Sequence, residues 1–139
     1  MYKKILATLD GSEYSRLALK QAAEIAQASG AHLTSIHVLD LPPQLKSLKS
    51  YNLIKDQLME EGRKIISDAA EILAPYNISH EEKISSGSPG EEIIKEANEG
   101  GYELVAIGSR GLGEVTGWLM GSVSRKVTRH VKSTVLVVK

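Results

Sequence analysis

Cysteine is missing altogether from the 139-residue chain. Its absence removes disulfides, thiolate nucleophiles and zinc–thiolate centres at once. Net charge is missing as well, because 17 Lys and Arg balance 17 Asp and Glu. A general nucleic-acid binder carries a basic excess, so that role is not expected. No apolar run approaches the roughly 20 residues that a helix needs to cross a bilayer, and no membrane association is expected. The opening residues Met1 to Ala7 run directly into strand-like sequence and then meet Asp10, too short an apolar stretch for a signal peptide. The expected location is therefore the cytoplasm. What remains is ordinary for a soluble globular chain: 42% apolar and 24% charged residues, at a length that suits one domain over residues 1–139.

Periodicity alternates between strand and helix along the whole chain. Lys4 to Leu9 is a short apolar run that stops at the turn Asp10-Gly11-Ser12. From Ser12 to Ser29, Leu17, Ala18, Ala22, Ile25 and Ala26 recur at helical spacing, and Gly30 ends the pattern. A strand is expected over His32–Val38, before Pro42-Pro43 forces an irregular loop. A long amphipathic helix is expected from about Leu45 to Leu73, with Gly62 inside it at a cost of about 1 kcal/mol relative to Ala. Ile78–Ser85 reads as a polar strand at a sheet edge. Ser88-Pro89-Gly90-Glu91 has the form of a capping box and opens a helix to about Glu99. A buried-type strand at Leu104–Ile107, a glycine-rich loop at 108–121, a helix at about Ser122–His130 and a strand at Thr134–Val138 complete the series. The order βαβαβαβαβ calls for an α/β fold, a doubly wound parallel sheet with helices on both faces.

Ligands of such sheets bind beyond the carboxyl ends of the strands, where the strand order reverses. Two segments fall at that position, Leu9-Asp10-Gly11-Ser12 and Gly108-Ser109-Arg110-Gly111-Leu112-Gly113. The glycines of the second let the backbone turn at positive φ and bring amides close to a ligand. Ser122 is placed to cap the following helix, whose first amides have no internal partners and favour an anion. Between Gly108 and Lys132 lie Arg110, Arg125, Lys126, Arg129 and Lys132 against Glu114 alone, a balance that suits a triphosphate. Arg129, His130 and Lys132 are assigned to the helix dipole instead, since they stand near a helix C-terminus. Arg110 lies within the glycine loop and is assigned to phosphate. Asp10 has two readings, a turn former or a ligand-binding carboxylate.

Several alternatives fail on pattern. The Walker A motif is absent, and the dinucleotide fingerprint fails because Thr116 stands where its third glycine belongs. No G-x-S-x-G elbow occurs. A receiver-like signalling domain would need clustered acidic residues at the end of the first strand, where only Asp10 stands. His32, His37, His80 and His130 are scattered and are read as structural or surface residues. Trp118 is expected to pack against its neighbours.

The pattern Gly108-x2-Gly111-x9-Gly121-Ser122 resembles the G-x2-G-x9-G-[S/T] motif of the ATP-binding universal stress proteins. The resemblance covers nearly the whole chain: Lys3-Lys4-Ile5-Leu6 with Asp10-Gly11-Ser12, His37-Val38-Leu39-Asp40, Gly87-Ser88-Pro89, and the closing Val135-Leu136-Val137-Val138. Thr134 departs from the Pro, and Glu103 from the Asp, that are common in the family. The resemblance implies an adenine-nucleotide α-hydrolase-like sheet of five strands in the order 3-2-1-4-5. It also implies ATP as ligand, with Mg2+ or Mn2+ held by phosphate oxygens and water. Asp10 and the backbone near Thr8 and Val38 would hold the adenosine end. Gly108, Arg110, Gly111, Gly121, Ser122, Val123 and Ser124 would surround the phosphates. The implied function is that of a nucleotide-dependent regulator or sensor in the stress response. A slow ATP hydrolase or phosphotransfer enzyme, and an interaction module without nucleotide, stay open beside it. A homodimer through the final strand is expected, because an apolar edge invites pairing.

Overall fold

A computed structural model describes residues 1–111 and 120–139. Five strands, β1 (Lys4–Leu9), β2 (His32–Asp40), β3 (His80–Gly87), β4 (Leu104–Gly108) and β5 (Thr134–Val138), form one sheet in the order β3-β2-β1-β4-β5. Every neighbouring pair is parallel. The helices α1 (Glu13–Ser29), α2 (Tyr51–Leu73), α3 (Pro89–Glu99) and α4 (Ser122–His130) supply the crossovers.

Alternation along the strands separates two cores. Ile5, Ala7, Leu33, Leu104 and Ala106 face α1 and α2, where Ala18, Leu19, Ala22, Ala69 and Leu73 meet them. Leu6, Ile36, Val105 and Ile107 face the other way and pack with Ile93, Ala97 and Val127 of α3 and α4. A strand residue buried between two helical layers contributes about 1.5–3 kcal/mol for a Leu or Ile side chain. The central strands β1 and β4 are accordingly buried along almost their whole length, with Thr8 the one buried polar side chain of the two. β3 lies at an edge and alternates half-buried with exposed residues.

Three local expectations change. The helix expected from Leu45 begins only at Tyr51; before it lies a 3-10 helix, Pro43–Ser47, followed by extended backbone at Leu48. Pro42 and Pro43 start that tight turn, and the apolar Leu45 and Leu48 mimic a helical period without extending the helix. The capping box at α3 does not form, because the Ser88 side chain makes no cap hydrogen bond. The N-cap of α4 is Gly121, which makes Ser122 the first helical residue and not the cap.

The end of the sheet away from the strand C-termini is tied by Glu103. Its carboxylate accepts the backbone N–H groups of Lys3 at 2.5 Å and Lys4 at 3.0 Å. Those two bonds hold its pKa below the usual carboxylate range. Beside it Tyr102 is buried, and burial pushes its phenol up to about 12. The Lys4 ammonium lies 4.5 Å from the centre of that ring. Glu103, where the family commonly has Asp, therefore sits at the opposite end of the strands from the glycine loop.

Candidate functional site

The carboxyl ends of β1, β2 and β4 and the start of α4 surround a cleft of about 350 Å3. Such a volume suits a small organic ligand. Thr8, Leu9 and Asp10 follow one another along the end of β1 into its wall, and His37, Val38, Leu39 and Asp40 come from β2. Gly108, Arg110 and Gly111 follow β4, and Gly121, Val123 and Ser124 open α4. Among the expected site residues only Ser122 is absent from the lining. It is exposed at the first position of α4.

Asp10 forms the turn expected of it and also lines the cleft. Its Oδ1 accepts the N–H of Ser12 at 2.9 Å, which closes a turn of the Asx type. Its Oδ2 stands against Gly111, so closely that a Cβ at Gly111 would collide with it. The same turn starts α1, where the Ser12 hydroxyl accepts the N–H of Ser15 at 3.1 Å. One short segment thus ends β1, caps α1 and presents a carboxylate oxygen to the loop after β4.

Of the glycines of that loop, Gly108 and Gly111 serve by their size. Gly108, Gly111 and Gly121 are not at positive φ, contrary to the expectation from their number. At Gly108 a Cβ would come within 2.7 Å of the Tyr14 Cβ, so the strand end and the first turn of α1 approach at backbone distance. Ser109 ties the loop at its base. Its N–H donates to the Val138 carbonyl and its carbonyl accepts from Gly121 N–H, both at 2.7 Å. The Ser124 hydroxyl donates to the Gly108 carbonyl at 2.5 Å, which seats the start of α4 against the end of β4. Its proton is thereby engaged, and only its lone pairs face the cleft.

With no side chain capping α4, the amides of Ser122, Val123 and Ser124 have no helical acceptor. They make an electropositive corner at the strand ends. Arg129 and His130 occupy the C-terminal turn of α4, the position on which the dipole reading rests. Lys126 is drawn away to Glu91 at 3.3 Å, and Arg125 to the Met120 carbonyl at 3.1 Å. Arg110 lines the cleft.

The remaining lining was missed in the sequence. Leu58, Glu61 and Ile65 of α2 and Pro89 and Ile93 at the start of α3 form an apolar flank with one carboxylate. His37, read as structural, is also part of the wall. Its Nδ1 lies 2.8 Å from the Leu9 carbonyl, which can only accept, so Nδ1 carries the proton. Its ring edge lies against Gly62, where a Cβ would approach to 3.1 Å. The available signal was the glycine in mid-helix, which marks a close approach by a neighbouring group. Gly113, Glu114, Thr116, Gly117 and Trp118 lie outside the described residues, as does the expectation that Trp118 packs locally.

The universal stress protein family model matches residues 1–139. The chain belongs to the universal stress protein family. Universal stress protein YxiE of Bacillus subtilis (strain 168) is 32% identical over 148 residues, covering 100% of both chains. The solved structure of hypothetical protein MJ0577 superposes with a TM-score of 0.87 at 32% identity, covering 100% of this chain and 96% of that one. A universal stress protein solved in complex with cAMP superposes with a TM-score of 0.78 at 28% identity, covering 99% and 97%. The chain thus has the fold of these solved structures, one of which was solved with an adenine nucleotide. No helix among the described residues is long and apolar enough to cross a membrane.

Proposed function

We propose that the cleft binds ATP and that the protein acts as a nucleotide-dependent regulator in the stress response. The observation that carries this reading is the convergence of a carboxylate, a cation and free helix amides on one cleft with an apolar flank. Val38, Leu39 and Ile65 offer apolar surface for the base. Thr8, Asp10 and the backbone at Val38 would hold the adenosine end, with Asp10 Oδ2 directed to the ribose. Gly108, Arg110, Gly111, Gly121 and the amides of Ser122, Val123 and Ser124 would hold the phosphates. The relative in complex with cAMP supports a nucleotide in this fold.

A divalent ion, Mg2+ or Mn2+, would accompany the triphosphate. Phosphate oxygens and water would be its ligands. Two copies of the chain pair through β5, as its place at the sheet edge supports.

Thermal unfolding with and without nucleotide tests the reading. At about 100 times its dissociation constant ATP contributes roughly 2.7 kcal/mol, a rise in Tm on the order of 5–10 °C. AMP, with fewer phosphate contacts, gives a smaller rise. Equal shifts with AMP and ATP would remove the phosphate assignment, and no shift with either would remove the nucleotide.

A further inference from the structure

The ring of His37 stands in the cleft wall with one nitrogen engaged and the other open. His37 and Leu39, two residues apart on β2, both face α2 at Gly62. Nδ1 donates to the Leu9 carbonyl at 2.8 Å, which fixes the tautomer and leaves Nε2 with a lone pair. Nε2 makes no hydrogen bond among the described residues, and it is not enclosed: the ring is half-buried and lines the cleft. Gly62 keeps that edge uncovered, since a Cβ there would stand 3.1 Å from the ring carbon Cδ2 and 3.6 Å from Nε2. The other polar side chains that α2 and β2 bring to the cleft are Glu61 and Asp40, both exposed carboxylates. This flank therefore offers acceptors and no free side-chain donor, in contrast to the amides at the start of α4. A ligand lying across the cleft is matched to it by anionic acceptors at one end and N–H donors at the other.

We propose that His37 sets the base specificity of the cleft: its Nε2 accepts a hydrogen from the exocyclic amino group of adenine, so the site selects against a purine that lacks this donor. This rests on the nucleotide reading of the cleft. Val38, Leu39 and Ile65 take either purine, because apolar contact barely senses one polar substituent. The discrimination comes from the polar atom. A purine without the amino group covers Nε2, displaces its water and returns no hydrogen bond, and an acceptor left desolvated and unpaired is costly. Glu61 and Asp40 are exposed and keep their water in either complex, so they discriminate less.

Calorimetric titration with ATP and with purine riboside triphosphate, which has hydrogen in place of the amino group, tests the proposal on the wild type and on His37→Asn. The shorter amide side chain keeps a donor in the place of Nδ1, for the Leu9 carbonyl, and puts nothing at the place of Nε2. The wild type prefers ATP about tenfold. In His37→Asn, shown to be folded by its thermal unfolding, the preference falls below about twofold, through loss of ATP affinity and not through gain of the analogue's. A merely structural role would weaken both ligands and leave their ratio unchanged. A wild type that does not distinguish the two, or a folded variant that keeps the wild-type preference, overturns the proposal. A second reading needs no substitution. Nitrogen NMR of the wild type, isotope-labelled at histidine, shows a protonated Nδ1 and a bare Nε2 at His37 in the free protein. At saturation the Nε2 resonance moves further with ATP than with the analogue. A protonated Nε2 in the free protein, or equal shifts with both ligands, overturns the proposal. If the wild type binds neither triphosphate, the nucleotide reading fails and this one falls with it.

Discussion

Asp10 and Gly121 were both visible in the sequence as site candidates, yet the structure gives each a local duty that no motif states. Asp10 spends one oxygen on its own turn and leaves the other against Gly111. Gly121 is the N-cap of α4, with extended backbone at φ −67° and ψ 165°. Asp is among the residues best suited to that position, because its carboxylate accepts the N–H groups two and three residues on. In α4 those are the amides of Val123 and Ser124, the ones assigned to phosphate. Gly121→Asp is therefore expected to leave the fold at least as stable as the wild type, by a few tenths of a kcal/mol, while ATP binding is lost. Thermal unfolding and calorimetry on the same sample check both halves. Retained affinity in the folded variant would place the phosphates elsewhere. Chemistry of this kind is legible from residue type and spacing. His37 stands in a family motif but reads as structural in the sequence, and Glu61 has no motif, because what brings it to the cleft is the packing of α2 on β2.

At the level of elements, the strands and helices were legible in kind and order, and their ends were not. The start of α2 was misplaced because Leu45 and Leu48 continue a helical apolar period through backbone that the two prolines have already turned into a 3-10 helix. The Ser88 box matched its pattern and formed no side-chain cap, since a pattern does not fix the rotamer that closes it. Gly62 shows the same limit from the other side. Helix propensity alone rates Gly62→Ala as a gain of about 1 kcal/mol. In the fold α2 lies directly on β2 there, and the new methyl would meet the His37 ring and the Leu39 side chain, each at 3.1 Å. Both neighbours are held: His37 by its bond to Leu9, and Leu39 by full burial. Overpacking of this sort costs about 1–3 kcal/mol, which outweighs the propensity. The expected outcome for Gly62→Ala is a net loss of about 1 kcal/mol in urea unfolding, with weaker ATP binding as His37 shifts in the wall. A stabilised variant would show that α2 can move away without loss.

For the whole molecule, the alternation of elements was enough to give a parallel sheet, and the strand order came from family resemblance, since periodicity carries no information on which strands adjoin. That order leaves two edges of different character. β3 is protected by charge: it carries Glu81, Glu82 and Lys83, and Lys83 pairs with Glu96 at 3.2 Å. β5 carries no charge from Thr134 to Val138 and, among the described residues, pairs only with β4. Apolar edges of this kind invite a partner strand. The hydrogen bonds of β5 also reveal which of its groups are open. Thr134 donates to Glu103 and Val138 accepts from Ser109, so the backbone of 134, 136 and 138 faces β4, while that of Val135 and Val137 faces outward. Two copies related by a two-fold axis would satisfy those outward groups in an antiparallel pairing. Val137→Pro removes an outward donor and no bond to β4, so the fold is retained. By symmetry the dimer loses two hydrogen bonds, about 2 kcal/mol or roughly thirtyfold in its dissociation constant. Light scattering across a concentration series reads this directly: a dimer for the wild type, with the monomer appearing at higher concentrations for the variant. A wild type that is monomeric at every concentration would leave the β5 edge unpaired and end the dimer proposal.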